Sequence, residues 1–186
     1  MELSVIIPCL NEEETLGICL EKATKTLNEN NVEYEIIVAD NGSDDDSIKI
    51  ATKFSNVKVI NVKKRGYGIA LRTGISSANG KYILMADADD SYDFNDIMKF
   101  LNKTRSGYQL VQGCRFPSGG GKIEKGAMPL SHRIFGNPLL SKIAKTIYGI
   151  PFNDIYCGMR CFEKEIYFKK NYFSKGMTFA VENLIK

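Results

Sequence analysis

The chain has 186 residues, of which 44% are hydrophobic and 25% are charged, enough for the core of one folded domain. This composition excludes a disordered chain, a collagen-like repeat and a small disulfide scaffold, and the net charge of +3 does not indicate nucleic acid binding. Residues 1–100 carry 11 basic and 17 acidic residues, whereas residues 101–186 carry 14 and 5, so we expect an anionic partner at the second part.

Short runs rich in Val and Ile alternate with helical patterns over the first 114 residues. In chain order, the predicted strands are residues 3–8, 34–39, 57–60, 82–85 and 110–112. The predicted helices between them are residues 15–27, 46–54, 69–78 and 94–101. This alternation predicts an α/β fold with a mainly parallel central sheet and helices on both faces.

The second part of the chain contains a predicted basic amphipathic helix at residues 131–148. Such a helix lies either in a membrane interface or against the protein core. The last residues, TFAVENLIK, predict a helix with no stop signal, which indicates a piece of a longer protein. No run reaches the roughly 18–20 apolar residues of a spanning helix.

The cysteine content bears on the compartment. Five cysteines and one histidine do not match a Cys/His zinc cluster, and an odd number argues against a disulfide framework. The N-terminus, MELSVIIP, has no basic region before its apolar residues and so predicts a strand rather than a signal peptide. We therefore expect a reduced, cytosolic compartment.

Polar residues follow four of the predicted strands, where an open α/β sheet binds its ligands. These loops contain Pro8, Asn11 and Glu12, then Asp40, Asn41, Gly42 and Ser43, then Lys63, Lys64 and Arg65, then Asp87, Asp89 and Asp90. Because surface loops are polar in any case, each loop alone is also consistent with simple solvation. Their convergence on one edge favours a binding site.

Three carboxylates directly follow the strand at residues 82–85, at Asp87, Asp89 and Asp90. Neighbouring carboxylates repel one another unless a cation neutralises them, and hard oxygen ligands suit Mg²⁺ or Mn²⁺. An EF-hand is excluded because Tyr92 and Met98 occupy its glycine and glutamate positions. The alternative is a solvated acidic turn.

Neither a dinucleotide fingerprint nor a P-loop motif is present in the sequence. The segment KRGYG, with Lys64 and Gly66, precedes a predicted helix and suits phosphate binding through cations and backbone amides. A plain turn is an equal alternative for this segment.

Four long segments carry a family resemblance. They are SVIIPCLNEEETL, EIIVADNGSDDDS, KRGYGIALRTGISSANGKYILMADADDSYD and MPLSHRIFGNPLLSKIAKTIYGIPFNDIYCGMRCF. In this order they resemble the family 2 glycosyltransferases of the GT-A fold, in particular the dolichyl-phosphate and polyprenyl-phosphate sugar synthases. The resemblance implies one glycosyltransferase domain over residues 1–186, with nucleotide-sugar and metal sites in residues 1–114 and acceptor and membrane contacts in residues 115–186.

The resemblance also implies roles for individual residues. The sugar nucleotide would contact residues in the first three loops and the acidic motif, namely Pro8, Asn11, Glu12, Asp40, Asn41, Lys64, Gly66, Asp87 and Ala88. Asp87 and Asp89 would hold Mg²⁺ or Mn²⁺ at the donor diphosphate. The expected catalytic residues are Asp89, Glu182 and three arginines that face phosphates, Arg115, Arg133 and Arg160.

The implied reaction moves glucose or mannose from a UDP- or GDP-sugar to a polyprenyl phosphate, with inversion, at the cytoplasmic face of the membrane. Membrane contact would be peripheral or through a C-terminal segment. Because a lipid phosphate is largely dianionic at pH 7, it needs no strong general base. One alternative is a saccharide or other hydroxyl acceptor in cell-envelope synthesis, with Asp154 or Glu182 as base; another is a non-catalytic nucleotide-sugar or lipid-binding module.

Overall fold

A computed structural model of the chain describes residues 1–119, 121 and 137–185. The strands are β1 (Leu3–Cys9), β2 (Tyr34–Asp40), β3 (Val57–Asn61), β4 (Tyr82–Met85), β5 (Leu110–Gln112) and β6 (Arg160–Glu163). They form one sheet in the order β3-β2-β1-β4-β6-β5. The pairs from β3 to β4 are parallel, and β6 runs antiparallel to both β4 and β5. The predicted mainly parallel sheet is confirmed.

The helices cover both faces of this sheet. They are α1 (Leu16–Glu29), α2 (Ser47–Ala51), α3 (Tyr67–Ser76), α4 (Ile97–Arg105), α5 (Asn137–Tyr148), α6 (Lys164–Phe168) and α7 (Thr178–Ile185), with short 3₁₀ turns at Phe94–Asp96 and Pro117–Gly119. The predicted helix at residues 131–148 is present from residue 137, and its first six residues lie outside the described part. Among the described helices, none has the length and apolar character needed to cross a bilayer.

Alternating side chains of the strands build two apolar layers. In β1, Leu3, Val5 and Ile7 are buried on the face covered by α1 and α4. Ile6 points to the opposite face, where α3 and α7 pack. Each such fully buried aliphatic side chain contributes about 1.5–3 kcal/mol to folding.

Helix α3 approaches the sheet closely because of Gly74. A Cβ added at Gly74 would lie 2.6 Å from Ile6 Cγ2, so a larger residue would push the helix away from β1. This close packing brings the first turn of α3, which starts at Tyr67, to the carboxyl end of the parallel strands.

Candidate active site

The loops after β1, β2 and β4 surround a cavity of about 320 Å³. Its lining consists of Pro8, Cys9, Leu10, Glu12, Asn41, Tyr67, Ala70, Asp87, Ala88, Asp89 and Met177. Six of these were predicted as site residues from sequence: Pro8, Glu12, Asn41, Asp87, Ala88 and Asp89. The fold therefore brings residues from three distant loops to one cavity.

Asp87 is held in place by a hydrogen bond from α3. It follows the buried end of β4, and Tyr67 Oη donates a 2.7 Å hydrogen bond to its Oδ1 atom. Burial raises the pKa of Asp87, the hydrogen bond from Tyr67 lowers it in part, and the charge of Asp89 raises it again. Burial also raises the pKa of Tyr67, so the phenol remains a hydrogen-bond donor.

Glu12 adds a third carboxylate to the cavity. Its backbone amide donates to Ser47 Oγ at 2.9 Å, which fixes the turn that precedes α1. Burial raises the pKa of Glu12, and the charge of Asp89 raises it further. This cavity therefore has a negative potential that favours a cation.

The carboxylates of the cavity suit a divalent cation that also binds a diphosphate. No group of three or more His, Cys, Asp or Glu side chains in the described residues is arranged to hold a metal. Asp87 and Asp89 offer hard oxygen ligands, and neither forms an ion pair with a described residue. Mg²⁺ commonly takes one or two protein carboxylates and completes its shell with phosphate and water. Two aspartates at this cavity fit that requirement.

Asp40 and Asn41 hold the loops around the cavity. Asp40 accepts hydrogen bonds from the amides of Gly42 and Ser43, both at 3.1 Å. Asn41 Nδ2 donates to Lys64 O at 2.9 Å, and its Oδ1 accepts from the amide of Gly66 at 2.7 Å. Asn41 thus ties the loop after β2 to the loop that leads into α3.

Asn11 lies on the rim rather than in the cavity lining. It has a positive φ of 59°, and its Oδ1 accepts from the Asp44 amide at 2.9 Å. Its own amide donates to Ser43 Oγ at 3.0 Å. These contacts join the loops after β1 and β2. The predicted site residue Lys64 has an exposed side chain and does not line the cavity.

Two of the predicted arginines are engaged within the protein. Arg115 forms a bidentate ion pair with the fully buried Asp154, at 2.8 and 2.9 Å. Arg160 is fully buried, and it donates to the carbonyls of Cys157 and Ala180, both at 2.7 Å. Burial lowers the pKa of Arg160. Burial would also lower the pKa of Arg115, but the hydrogen bond to Asp154 outweighs this effect and raises the pKa of Arg115.

The described contacts of Arg115 and Arg160 do not support direct phosphate binding, which stays a prediction. Arg133 lies outside the described residues. Glu182 accepts hydrogen bonds from the amides of Phe173 and Ser174, at 3.0 and 2.8 Å, so it organises the segment before α7. Its catalytic role likewise stays a prediction.

Sequence reasoning missed Tyr67, Met177 and Gly158. Tyr67 stands in the KRGYG segment at the first turn of a helix that follows a strand, and this position could have indicated a cavity residue. Met177 and Gly158 reach the site from the far end of the chain. No local sequence pattern indicates that these two residues lie at the site.

The model of "Glycosyl transferase family 2" matches residues 4–168. The chain is 37% identical over 185 residues to the low-salt glycan biosynthesis hexosyltransferase Agl6 of Haloferax volcanii, covering 99% of this chain and 44% of that protein. It is 32% identical over 186 residues to the human dolichyl-phosphate beta-glucosyltransferase, covering 88% of this chain and 55% of that protein. The chain thus spans about half the length of these relatives.

Solved structures have the same fold. Glucosyl-3-phosphoglycerate synthase from Mycobacterium tuberculosis, in complex with Mn²⁺, UDP and phosphoglyceric acid, gives a TM-score of 0.71 at 21% identity. The match covers 97% of this chain and 61% of that structure. The predicted GT-A fold is confirmed.

Proposed function

Because the chain belongs to glycosyl transferase family 2, we propose that it transfers glucose or mannose from a UDP- or GDP-sugar to a polyprenyl or dolichyl phosphate, with inversion. The observation that carries this proposal is the single cavity shared by Asp87 and Asp89 with Glu12, Asn41 and Tyr67. The names of the relatives support the acceptor, since one is a dolichyl-phosphate beta-glucosyltransferase and another a dolichyl-phosphate hexose transferase.

The donor would lie in the cavity with its diphosphate toward Asp87 and Asp89. These residues would hold Mg²⁺ or Mn²⁺, which when bound stabilises the negative charge that develops on the leaving diphosphate. The loops after β1 and β2, with Glu12 and Asn41, would orient the base and ribose. Exposed cations after β3, Lys64 and Arg65, stand beside this region and complement the phosphates.

The state of the candidate bases favours a phosphate acceptor over a hydroxyl. A hydroxyl nucleophile needs a carboxylate that is free to take its proton. Asp154 is committed to Arg115, and Glu182 to the amides of Phe173 and Ser174. A dianionic lipid phosphate reacts without such a base, which agrees with these contacts.

Helix α5 suits peripheral contact with the cytoplasmic face of a membrane. Leu139, Leu140, Ile143 and Ile147 form one exposed apolar stripe, with Ile147 66% exposed. Lys142 and Lys145 flank the stripe and complement anionic lipid headgroups. Flotation with anionic and neutral vesicles tests this contact, and the variant Ile143→Glu should reduce it.

The first experiment is calorimetric titration with UDP and with GDP, each with Mn²⁺, with Mg²⁺ and with chelator. We expect tight binding of one nucleotide that requires metal and is lost in Asp89→Asn. The control Asp96→Asn makes the same change at an exposed ion pair with Lys99 and should bind normally. Binding of neither nucleotide by folded protein would contradict the donor site.

A transfer assay then distinguishes the acceptors. The matching nucleotide-sugar is offered with dolichyl phosphate in detergent and, separately, with saccharide acceptors. Product on the lipid phosphate alone supports the proposal. Product on hydroxyls alone supports a saccharide transferase of the same fold, and binding without turnover supports a binding module.

A further inference from the structure

Helix α1 contacts the acidic loop after β4 at three successive points. Cys19 Sγ donates to Ala88 O at 3.4 Å, and Thr26 Oγ1 donates to Asn95 Oδ1 at 3.3 Å. Between them, Lys22 Nζ donates to both carboxylate oxygens of Asp90, at 2.8 and 3.1 Å. Residues three and four apart share one face of a helix, so one face of α1 supports the whole loop.

The backbone at Asp90 requires such support. Its φ is 55°, in the left-handed region that residues other than glycine adopt only at a cost in free energy. The preceding carboxylate contributes locally, since Asp89 Oδ1 accepts from the Ser91 amide at 3.0 Å. The side chain of Asp90 itself reaches out of the loop through its ion pair with Lys22.

The ion pair also separates the three carboxylates by role. Lys22 neutralises Asp90 on the side of α1, whereas Asp87 and Asp89 line the cavity. A metal that binds a diphosphate needs only one or two protein carboxylates. Asp90 can therefore anchor the loop while Asp87 and Asp89 remain to bind the metal.

We propose that Lys22 is a positioning residue, whose ion pair with Asp90 anchors the loop so that Asp87 and Asp89 face the metal. The proposal rests on the proposed function because it concerns the same metal. Asp90 is then an anchor and not a metal ligand. The ion pair lies on the α1 side of the loop, and neither Lys22 nor Asp90 lines the cavity.

The test is Mn²⁺ binding followed by electron paramagnetic resonance, with UDP and with GDP present, on wild type, Lys22→Met and Asp90→Asn. We expect each variant to lose roughly tenfold in Mn²⁺ affinity. The double variant should lose no more than either single one, because both changes break the same contact. Lys22→Arg should retain binding, since arginine also forms a bidentate pair with a carboxylate.

The matched control is Lys25→Met, which removes a lysine of the same helix that is 72% exposed and lies 3.9 Å from Glu29. It should bind Mn²⁺ as wild type does. Removing a cation near the site would by itself tighten Mn²⁺ binding. Release of the Asp90 carboxylate, which could then bind the metal, would also tighten it. Unchanged or tighter binding in folded Lys22→Met would therefore overturn the positioning role alone.

A different result would remove the proposed function. If folded wild type bound no Mn²⁺ with either nucleotide, the metal site itself would be absent, and the positioning role with it. Thermal unfolding of each variant completes the test, because a purely structural ion pair would lower the melting temperature without changing Mn²⁺ affinity.

Discussion

Gly158 lies directly against the carboxylate of Asp87, and a Cβ added at Gly158 would overlap Asp87 Oδ2. The amide of Gly158 donates a 2.7 Å hydrogen bond to Tyr92 Oη, which fixes its place beside the acidic loop. The segment that leads into β6 thus packs directly against a carboxylate of the cavity, a contact that its sequence does not reveal.

Gly158→Ala should therefore displace Asp87 and weaken metal-dependent nucleotide binding. The added methyl also lies 3.1 Å from Tyr92 Oη, so the loop has little room to adjust. We expect a loss of about tenfold or more in affinity, measured by calorimetry with UDP or GDP and Mn²⁺.

The control for this substitution is Gly176→Ala, where an added Cβ meets nothing within 4 Å. It should bind as wild type does. Wild-type affinity in Gly158→Ala would mean that Asp87 tolerates displacement and does not contact the metal.

Tyr67→Phe removes the hydrogen bond to Asp87 and keeps the ring. A hydrogen bond to a charged group is worth about 1.5 kcal/mol or more, which corresponds to roughly tenfold in affinity. We expect Mn²⁺ affinity to fall by that factor because the carboxylate loses its orientation. Tyr108→Phe is the control, since Tyr108 is 61% exposed. Equal affinities in the two variants would exclude an orienting role for Tyr67.

Local pattern accounts for the parts of the fold that were predicted. The strands of the first 114 residues and the position of Asp87 and Asp89 follow from hydrophobic periodicity and from where parallel strands end. The four-residue β6 was not predicted, because it is short and pairs antiparallel with β4 from 75 residues further along the chain.

The roles of charged residues were harder to predict than their presence. The family resemblance implies phosphate binding by Arg160, yet the fold buries this side chain against backbone carbonyls. Lys22 and Asp90 meet only because α1 packs beside the loop after β4. Such pairings depend on tertiary packing, which the spacing of residues does not encode.

Asp154→Asn should destabilise the protein rather than remove a catalytic base. Asp154 is fully buried and accepts three hydrogen bonds from Arg115, two from the guanidinium and one from the amide. Removing one partner of a buried pair costs about 3–5 kcal/mol, because the other charge loses its compensation. Urea unfolding should show a loss of about 3 kcal/mol. Asp96→Asn, at an exposed pair, should change stability by less than about 1 kcal/mol.

A different result would contradict this structural role of Asp154. Full stability together with loss of transfer to a hydroxyl acceptor would identify Asp154 as a base. The ion pair of Asp154 with Arg115 would then no longer be an argument for a phosphate acceptor.

Glu35→Gln should change the pH dependence of stability. Glu35 accepts hydrogen bonds from Ser4 Oγ at 2.7 Å and from the Asn79 amide at 2.6 Å. Burial alone would raise the pKa of Glu35, but these hydrogen bonds outweigh it and lower the pKa below its usual value. The charged form therefore stabilises the fold above the pKa of the unfolded state, and this contribution disappears as the pH falls through the folded-state pKa.

At pH 7 the variant should be less stable than wild type by about 1 kcal/mol, after allowance for solvent screening. The difference should shrink as the pH falls through the lowered folded-state pKa, where wild-type Glu35 becomes protonated and resembles the amide. Urea unfolding at several pH values measures both quantities, with the exposed Glu21→Gln as control. A difference that stays constant from pH 7 to pH 3 would mean that neutral hydrogen bonding, and not the carboxylate charge, holds Ser4 and Asn79 together.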